Sequence, residues 1–350
     1  MTREPGAGTG PPPLSVPGPG PAWFGSVMGT GGLATLLQIH SARLPVFGPL
    51  ALVTLLLAWV LLLGLGAGFA RSVARDPDVW TRSVRDAAML PLWGMVSMGL
   101  LAVGSATFVV VDGHAPALSA VAQGADAALW GAGTVLGVAT AVGFTVWLFT
   151  TLPEHPLPTW ALPMVPPMVS ATAGGLLAEQ IDSPTVRTFV MAVCTFGFVA
   201  ALGLGGAVIT LAYHHAWFRT PVPVELSTTT WIPLGIVGQS AAAAQVLAGP
   251  GLAGIARVYG AGVLIAGAGV LIAGAGLGAF AVLSTLRGFL ARMAFTPGWW
   301  AMTYPLGTCA LGAHHLGWEA ASLLTVFVLC CVWVLCAGAS LRAVLRARPA

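Results

Sequence analysis

Apolar residues in this chain run in long blocks separated by short charged or Pro-rich connections, and most blocks approach the roughly 20 residues that a helix needs to cross a hydrocarbon core. The blocks predict ten helices, at residues 23–40, 46–70, 87–111, 128–151, 160–178, 185–213, 231–248, 258–284, 297–315 and 318–344. The first 21 residues are rich in Pro and Gly and have no apolar core, which argues against a cleavable signal peptide and predicts a disordered tail. The expected organisation is this tail, one transmembrane domain over 22–345, and a short C-terminal tail at 346–350. The fold class expected is all-α and integral to the membrane.

Odd and even helices differ in kind. The third contains Met89-Leu-Pro91-Leu-Trp-Gly94, the fifth Leu162-Pro-Met-Val-Pro166-Pro167, the seventh Trp231-Ile-Pro233-Leu-Gly235, and the ninth Trp300-Ala-Met-Thr-Tyr304-Pro305. The first has Gly25, Gly29, Gly31 and Gly32 instead, and the even helices carry no Pro in their interiors. Pro91, Pro166, Pro233 and Pro305 follow one another at intervals of 75, 67 and 72 residues, with Gly29 about one interval earlier. One helical hairpin per interval makes five related hairpins. Pro removes a backbone donor and frees carbonyls that lipid cannot satisfy, so the broken helices are expected to line an interior or a water-filled cavity. Five of them in an inner ring, with five unbroken helices outside, would place a lumen on a pseudo-fivefold axis. The alternative is that Pro and Gly merely shape a packed bundle.

Composition agrees with a membrane domain: charged residues make up 7% of the 350 and apolar types 57%. The 14 cationic residues are all Arg, and with ten spans their distribution orients the chain. Arg3, Arg71, Arg75, Arg82, Arg85, Arg219, Arg287, Arg292, Arg342, Arg346 and Arg348 lie on the side of the termini, against Arg43, Arg187 and Arg257 on the other. Both termini are therefore expected to be cytoplasmic, in the cell membrane. In a membrane chain the position of each Arg matters more than the net charge of +3, and no nucleic-acid partner is expected. The five Cys fall within predicted spans, without metal-site spacing, and read as apolar packing residues.

The bodies of the odd helices hold no Arg, Lys, Asp or Glu, the usual hardware of proton relays and ion-coupled pumps, which argues against tight, charge-paired substrate binding. What they offer is hydroxyl, amide and aromatic: Thr30, Ser97, Ser170, Thr172, Gln239, Ser240, Thr303, Tyr304 and Thr308. Together with exposed N–H groups at helix starts, such groups can replace water around an anion without trapping it. Ser and Thr in membrane helices also bond carbonyls of their own helix, which is the competing role for each hydroxyl. Pairs at His214-His215 and His314-His315, the latter followed by Glu319, read as interfacial groups; neither a metal nor a cofactor is expected. Trp23, Trp80, Trp160, Trp217, Trp231, Trp299 and Trp318 mostly mark span ends. The chain carries no HExxH, GxSxG or Walker A motif, so an enzyme is not expected.

The stretches Trp23-Phe-Gly-Ser-Val-Met-Gly-Thr-Gly31, Pro163-Met-Val-Pro-Pro-Met-Val-Ser170 and Trp231-Ile-Pro-Leu-Gly-Ile-Val-Gly-Gln239 resemble the tellurite-resistance/dicarboxylate transporter family. So, most specifically, does Phe295-Thr-Pro-Gly-Trp-Trp-Ala-Met-Thr-Tyr-Pro305. This family includes slow-type anion channels, malate permeases and sulfite efflux pumps. The resemblance implies ten helices in five hairpins around a central pore, a homotrimer with one pore per subunit, and an aromatic gate before the ninth-helix Pro. Tyr304 occupies that place, where the family's channel members carry Phe. The function expected is movement of a small anion, with a C4-dicarboxylate, sulfite or a halide-like ion as substrate. The rivals are an intramembrane enzyme using His314, His315 and Glu319 on a metal, and a non-transporting membrane sensor.

Overall fold

The computed structural model describes residues 17–151, 156–268 and 276–346. Most of the expected N-terminal tail, residues 269–275 of the eighth expected span, and residues 347–350 of the C-terminal tail lie outside the described residues. All regular structure among the described residues is helical: α1 (Phe24–Ile39), α2 (Phe47–Arg75), α3 (Asp78–Arg85), α4 (Trp93–His114), α5 (Ser119–Thr151), α6 (Pro166–Ala178), α7 (Pro184–Phe218), α8 (Ile232–Leu247), α9 (Ala253–Ala268), α10 (Leu277–Leu290), α11 (Thr303–His315) and α12 (Glu319–Arg346), with short 3-10 segments between.

Among the described residues, six stretches are long and apolar enough to cross a membrane: Phe47–Arg75, Leu90–His114, Pro116–Thr151, Pro158–Ala178, Pro184–Ala216 and Glu319–Arg346. The outer surface agrees, because Leu63, Val135, Phe149, Phe196 and Leu345 are each more than 60% exposed. Large apolar side chains spread so widely over a surface would aggregate in water and are at rest in lipid. The molecule is a multi-pass membrane protein.

The prolines act differently from the expected mid-helix breaks. A 3-10 segment leads into each of α1, α4, α6, α8 and α11: Pro21–Trp23, Leu90–Leu92, Pro158–Met164, Val224–Trp231 and Pro297–Met302. Pro91 lies in the second of these, Pro166 and Pro233 open α6 and α8, and Pro305 is in the first turn of α11. In a first turn the N–H has no intrahelical acceptor, so Pro there sacrifices no ladder bond and sets φ for the helix that follows. Carbonyls freed by the 3-10 geometry find donors nearby. Tyr213 Oη donates to Thr230 O at 2.6 Å, Thr228 Oγ1 to Gly298 O at 3.1 Å, and Cys336 Sγ to Trp299 O at 3.5 Å. Gly29 breaks nothing: α1 runs through it, and its missing side chain makes room for Thr303, whose Cβ would stand 3.0 Å from a Cβ at Gly29.

Two boundaries also depart from expectation. The fourth helix starts at Ser119 rather than 128, because the Ala-rich run after Pro116 contains no further Pro; Asp126 therefore becomes a buried carboxyl within α5. The eighth expected span is represented by α9 and α10 on either side of residues 269–275.

The five helices that follow 3-10 segments contact one another in chain order, α1 with α4, α4 with α6, α6 with α8, and α8 with α11. Contact between α11 and α1 closes the cycle. Each long helix packs against its own partner and against the next inner helix: α2 on α1 and α4, α5 on α4 and α6, α7 on α6 and α8, α9 on α8 and α11, α12 on α11 and α1. Since lipid is as apolar as Leu, close packing rather than water exclusion holds such helices together. Gly238 shows how close: a Cβ there would sit on the Thr308–Cys309 peptide, 2.7 Å from Thr308 O.

Candidate functional site

The inner helices enclose a cavity of about 280 Å³ to which all five contribute. Gly29, Gly32, Thr35 and Leu36 come from α1, Ala102 and Ser105 from α4, Thr172 and Ala173 from α6, Gln239 from α8, and Thr303, Tyr304, Thr308, His314 and His315 from α11. The lining of α11 extends over twelve residue steps at about 1.5 Å each, so the cavity runs about 18 Å along that helix. Its lining holds no Asp, Glu, Lys or Arg; Tyr304, His314 and His315 are its titratable groups.

One end is closed. Beyond Gly29 and Tyr304, toward the starts of the inner helices, Phe24, Met28, Met95, Met98, Met164 and Met168 form part of one cluster with Tyr304, and none of the six is more than 5% exposed. The Tyr304 ring lies against Gly32, where an added Cβ would meet Cδ2 and Cε2 at 3.8 Å. Thioether side chains fill irregular gaps and repack readily, so this closure is made of deformable groups. His314 and His315 mark the opposite end.

The hydroxyls named from sequence divide into two sets. Thr172, Thr303 and Thr308 line the cavity together with Gln239 and Tyr304. Thr30, Ser97, Ser170 and Ser240 do not appear in the lining. Thr30 Oγ1 donates to Ser26 O and accepts from Trp333 Nε1 of α12 at 3.0 Å, Ser97 Oγ donates to Gly133 O of α5 at 2.6 Å, and Ser170 Oγ pairs with Thr134 Oγ1 of α5 at 2.6 Å. Ser240 bonds Val237 O at 3.0 Å in its own helix. An apolar helix gives no moment that distinguishes its lumen face from its face toward the outer layer, which is why sequence pooled the two sets.

Even the lining hydroxyls are engaged. Thr303 donates to Trp300 O at 2.8 Å and Thr308 to Pro305 O at 2.9 Å, so at rest each shows the cavity lone pairs rather than its hydrogen. Turning that hydrogen to a group in the cavity exchanges one bond of about 1 kcal/mol for another, which favours weak, reversible contact. Thr35 and Ser105 escaped the sequence reading. The signal that could have found Thr35 is spacing: Gly29, Gly32, Leu33, Leu36 and Ile39 fall at helical intervals on the same face of α1.

The histidines reorganise the other sequence-level suggestion. His314 reaches Glu319, with Nδ1 3.0 Å from Oε1, but the third partner is His40 rather than His315. His315 Nε2 is buried without a hydrogen-bond partner. His40 stands at the end of α1, more than 270 residues away in sequence, and only the contact of α1 with α11 and α12 reveals it.

Residues 20–341 match the family model described as SLAC1, voltage-dependent anion channel. The sulfite efflux pump SSU1 of Trichophyton rubrum is 28% identical over 339 residues, covering 90% of this chain and 88% of the relative. Its counterpart in Arthroderma benhamiae is 27% identical with the same coverage, and that of Arthroderma otae 25% identical over 320 residues, covering 87% and 83%.

Proposed function

Because this chain belongs to the voltage-dependent anion channel family, we propose that it carries a small oxyanion, sulfite first among the choices, through the cavity between its inner helices. The observation that carries this reading is a lumen about 18 Å long, built by all five inner helices and free of fixed charge, with amide and hydroxyl groups along it. A lumen without Arg or Lys does not hold an anion tightly enough to stop it leaving, and one without Asp or Glu does not repel it. The similarity, over 90% of this chain, to proteins named sulfite efflux pumps favours sulfite over a C4-dicarboxylate or a halide-like ion.

In this reading the cycle of inner-helix contacts is a pseudo-fivefold ring of five hairpins, ten spans in all, with α9 and α10 together forming the eighth. The transport domain is 22–345, between the two cytoplasmic tails. The Arg distribution sets both termini in the cytoplasm of a cell whose outer boundary this membrane forms, and three copies assemble with one pore each. Tyr304, resting on Gly32 above the methionine cluster, is the gate; Thr172, Gln239, Thr303 and Thr308 line the path.

The test is anion flux in proteoliposomes, comparing sulfite, chloride, nitrate and malate for the native protein, Tyr304→Ala and Tyr304→Phe. Sulfite flux above the other anions, raised severalfold by Tyr304→Ala and little altered by Tyr304→Phe, is expected. Folded protein that passes none of the four anions refutes the transport reading; flux indifferent to Tyr304→Ala refutes the gate.

A further inference from the structure

At the end of the cavity away from the methionine cluster, side chains from three helices converge on one carboxylate. His40, 1% exposed, places Nε2 2.9 Å from Ser322 Oγ. Ser322 Oγ in turn donates its hydrogen to Ala310 O at 2.8 Å, so toward His40 it can only accept. The proton of a neutral His40 therefore sits on Nε2 and the lone pair on Nδ1. That Nδ1 is buried without a hydrogen-bond partner and stands 3.9 Å from Glu319 Oε2. His314 Nδ1 lies 3.0 Å from Glu319 Oε1 and is also buried without the alignment of a hydrogen bond. The two imidazoles meet edge to face at 5.8 Å.

A lone pair aimed at a carboxylate is a repulsive arrangement, and a cation between the three groups removes the repulsion. We propose that His40 Nδ1, His314 Nδ1 and one oxygen of Glu319 bind a divalent transition-metal ion of the zinc class. Their donor atoms all lie within 4.8 Å of one another. Bonds of about 2.0–2.2 Å in a tetrahedron require donor separations of roughly 3.3–3.6 Å; His314 Nδ1 stands 3.0 Å from Oε1 and His40 Nδ1 3.9 Å from Oε2, so a turn of the carboxylate is needed to offer one oxygen to both. The Ser322 contact is the outer support such a ligand needs, since a metal-binding imidazole commonly donates its second N–H to a fixed acceptor. Arg43 Nη2, 3.7 Å from Glu319 Oε2, competes for the carboxylate, but that side chain is 58% exposed and free to swing into solvent. Three protein ligands leave a fourth position open, and His314 also lines the cavity, so that position lies beside its end. The ion would tie α1, α11 and α12 together where the ring of inner helices closes.

The site is tested on purified full-length protein in detergent, by titration with Co²⁺ and Zn²⁺ alone and without any transport measurement. One Co²⁺ per chain with the intense visible absorption of a four-coordinate site, displaced by Zn²⁺, is expected. Glu319→Gln and His314→Ala should abolish that absorption. Ser322→Ala keeps all three ligands and should weaken binding by about 10–100-fold. Absence of stoichiometric binding to the native protein overturns the proposal, as does binding that survives both ligand variants at native affinity. Should a ligand variant not fold, Ser322→Ala decides: unchanged affinity in that variant refutes the assigned tautomer and with it the site.

Discussion

Gly238 and Gly235 lie one turn apart on α8, and the structure separates what a methyl group meets at each. At Gly238 the added Cβ falls on the backbone of Thr308 and Cys309, which cannot rotate away. At Gly235 it meets Pro305 Cγ and Val165 Cγ1 at 3.9 Å, ordinary contact. Replacing a helical Gly by Ala gains about 0.8–1 kcal/mol of intrinsic helix stability in either position, so that gain cancels between the two variants. What is left is the clash. Overpacking costs about 1–3 kcal/mol, and the upper end applies where the obstructing atoms are backbone. Gly238→Ala is thus expected to be about 3 kcal/mol less stable than Gly235→Ala, and Gly235→Ala equal to or slightly above the native protein. With an unfolding entropy of about 2.1 cal/mol/K per residue, 1 kcal/mol moves the midpoint of a domain of about 320 residues by about 1.5 °C, which puts the two variants roughly 4–5 °C apart. Thermal unfolding in detergent, followed by circular dichroism and by loss of the monodisperse fraction, gives the comparison. Equal midpoints would mean that α8 and α11 are not packed backbone to backbone, and the inner ring as described would be wrong.

Other consequences follow from individual contacts. Thr303→Val and Thr308→Val should alter anion selectivity in liposomes with little change in thermal midpoint, whereas Ser97→Ala, which strips a hydrogen bond to Gly133 O from a buried site, should do the reverse. Trp333→Phe removes the donor to Thr30 Oγ1 and should cost about 1 kcal/mol in thermal unfolding while leaving flux intact. Gln239→Leu deletes the one side-chain amide in the lining and should lower sulfite flux severalfold; unchanged flux would remove Gln239 from the path. The Arg82 hydrogen bond holds the Asp76 carboxyl below the usual carboxylate range, so its contribution exists above that range and disappears as pH falls through the lowered value. Because the pair is exposed, Asp76→Asn should be hard to distinguish from native at neutral pH, and any difference should vanish in acid.

Much of this architecture was readable from the chain because bilayer thickness and Pro chemistry leave few options. Blocks such as 46–70 and 318–344 name their helices by length and apolarity alone, and the recurrence of Pro91, Pro166, Pro233 and Pro305 marked the inner layer. The physical action of those prolines was not readable, since the same residue can kink a helix or start one, and the 3-10 segment before each inner helix decides between them. Nor could the lining be sorted. Thr303 and Thr30 sit in equally apolar helices, and which of them faces the lumen depends on helix rotation set by neighbours such as Trp333. The partnership of His40 with Glu319 has no local signature at all; it exists because the first and last hairpins touch.

That closing contact also bears on how the molecule is made. The inner helices meet in chain order, so during synthesis from the N-terminus α1, α4, α6 and α8 can associate one after another while the last side of the ring stays open. Until α11 and α12 arrive, Thr30 lacks Trp333, His40 lacks Ser322, and Gln239 faces an unsealed groove. Without α11 and α12 the cycle of inner-helix contacts has an open side, so the final hairpin acts as the keystone of the assembly.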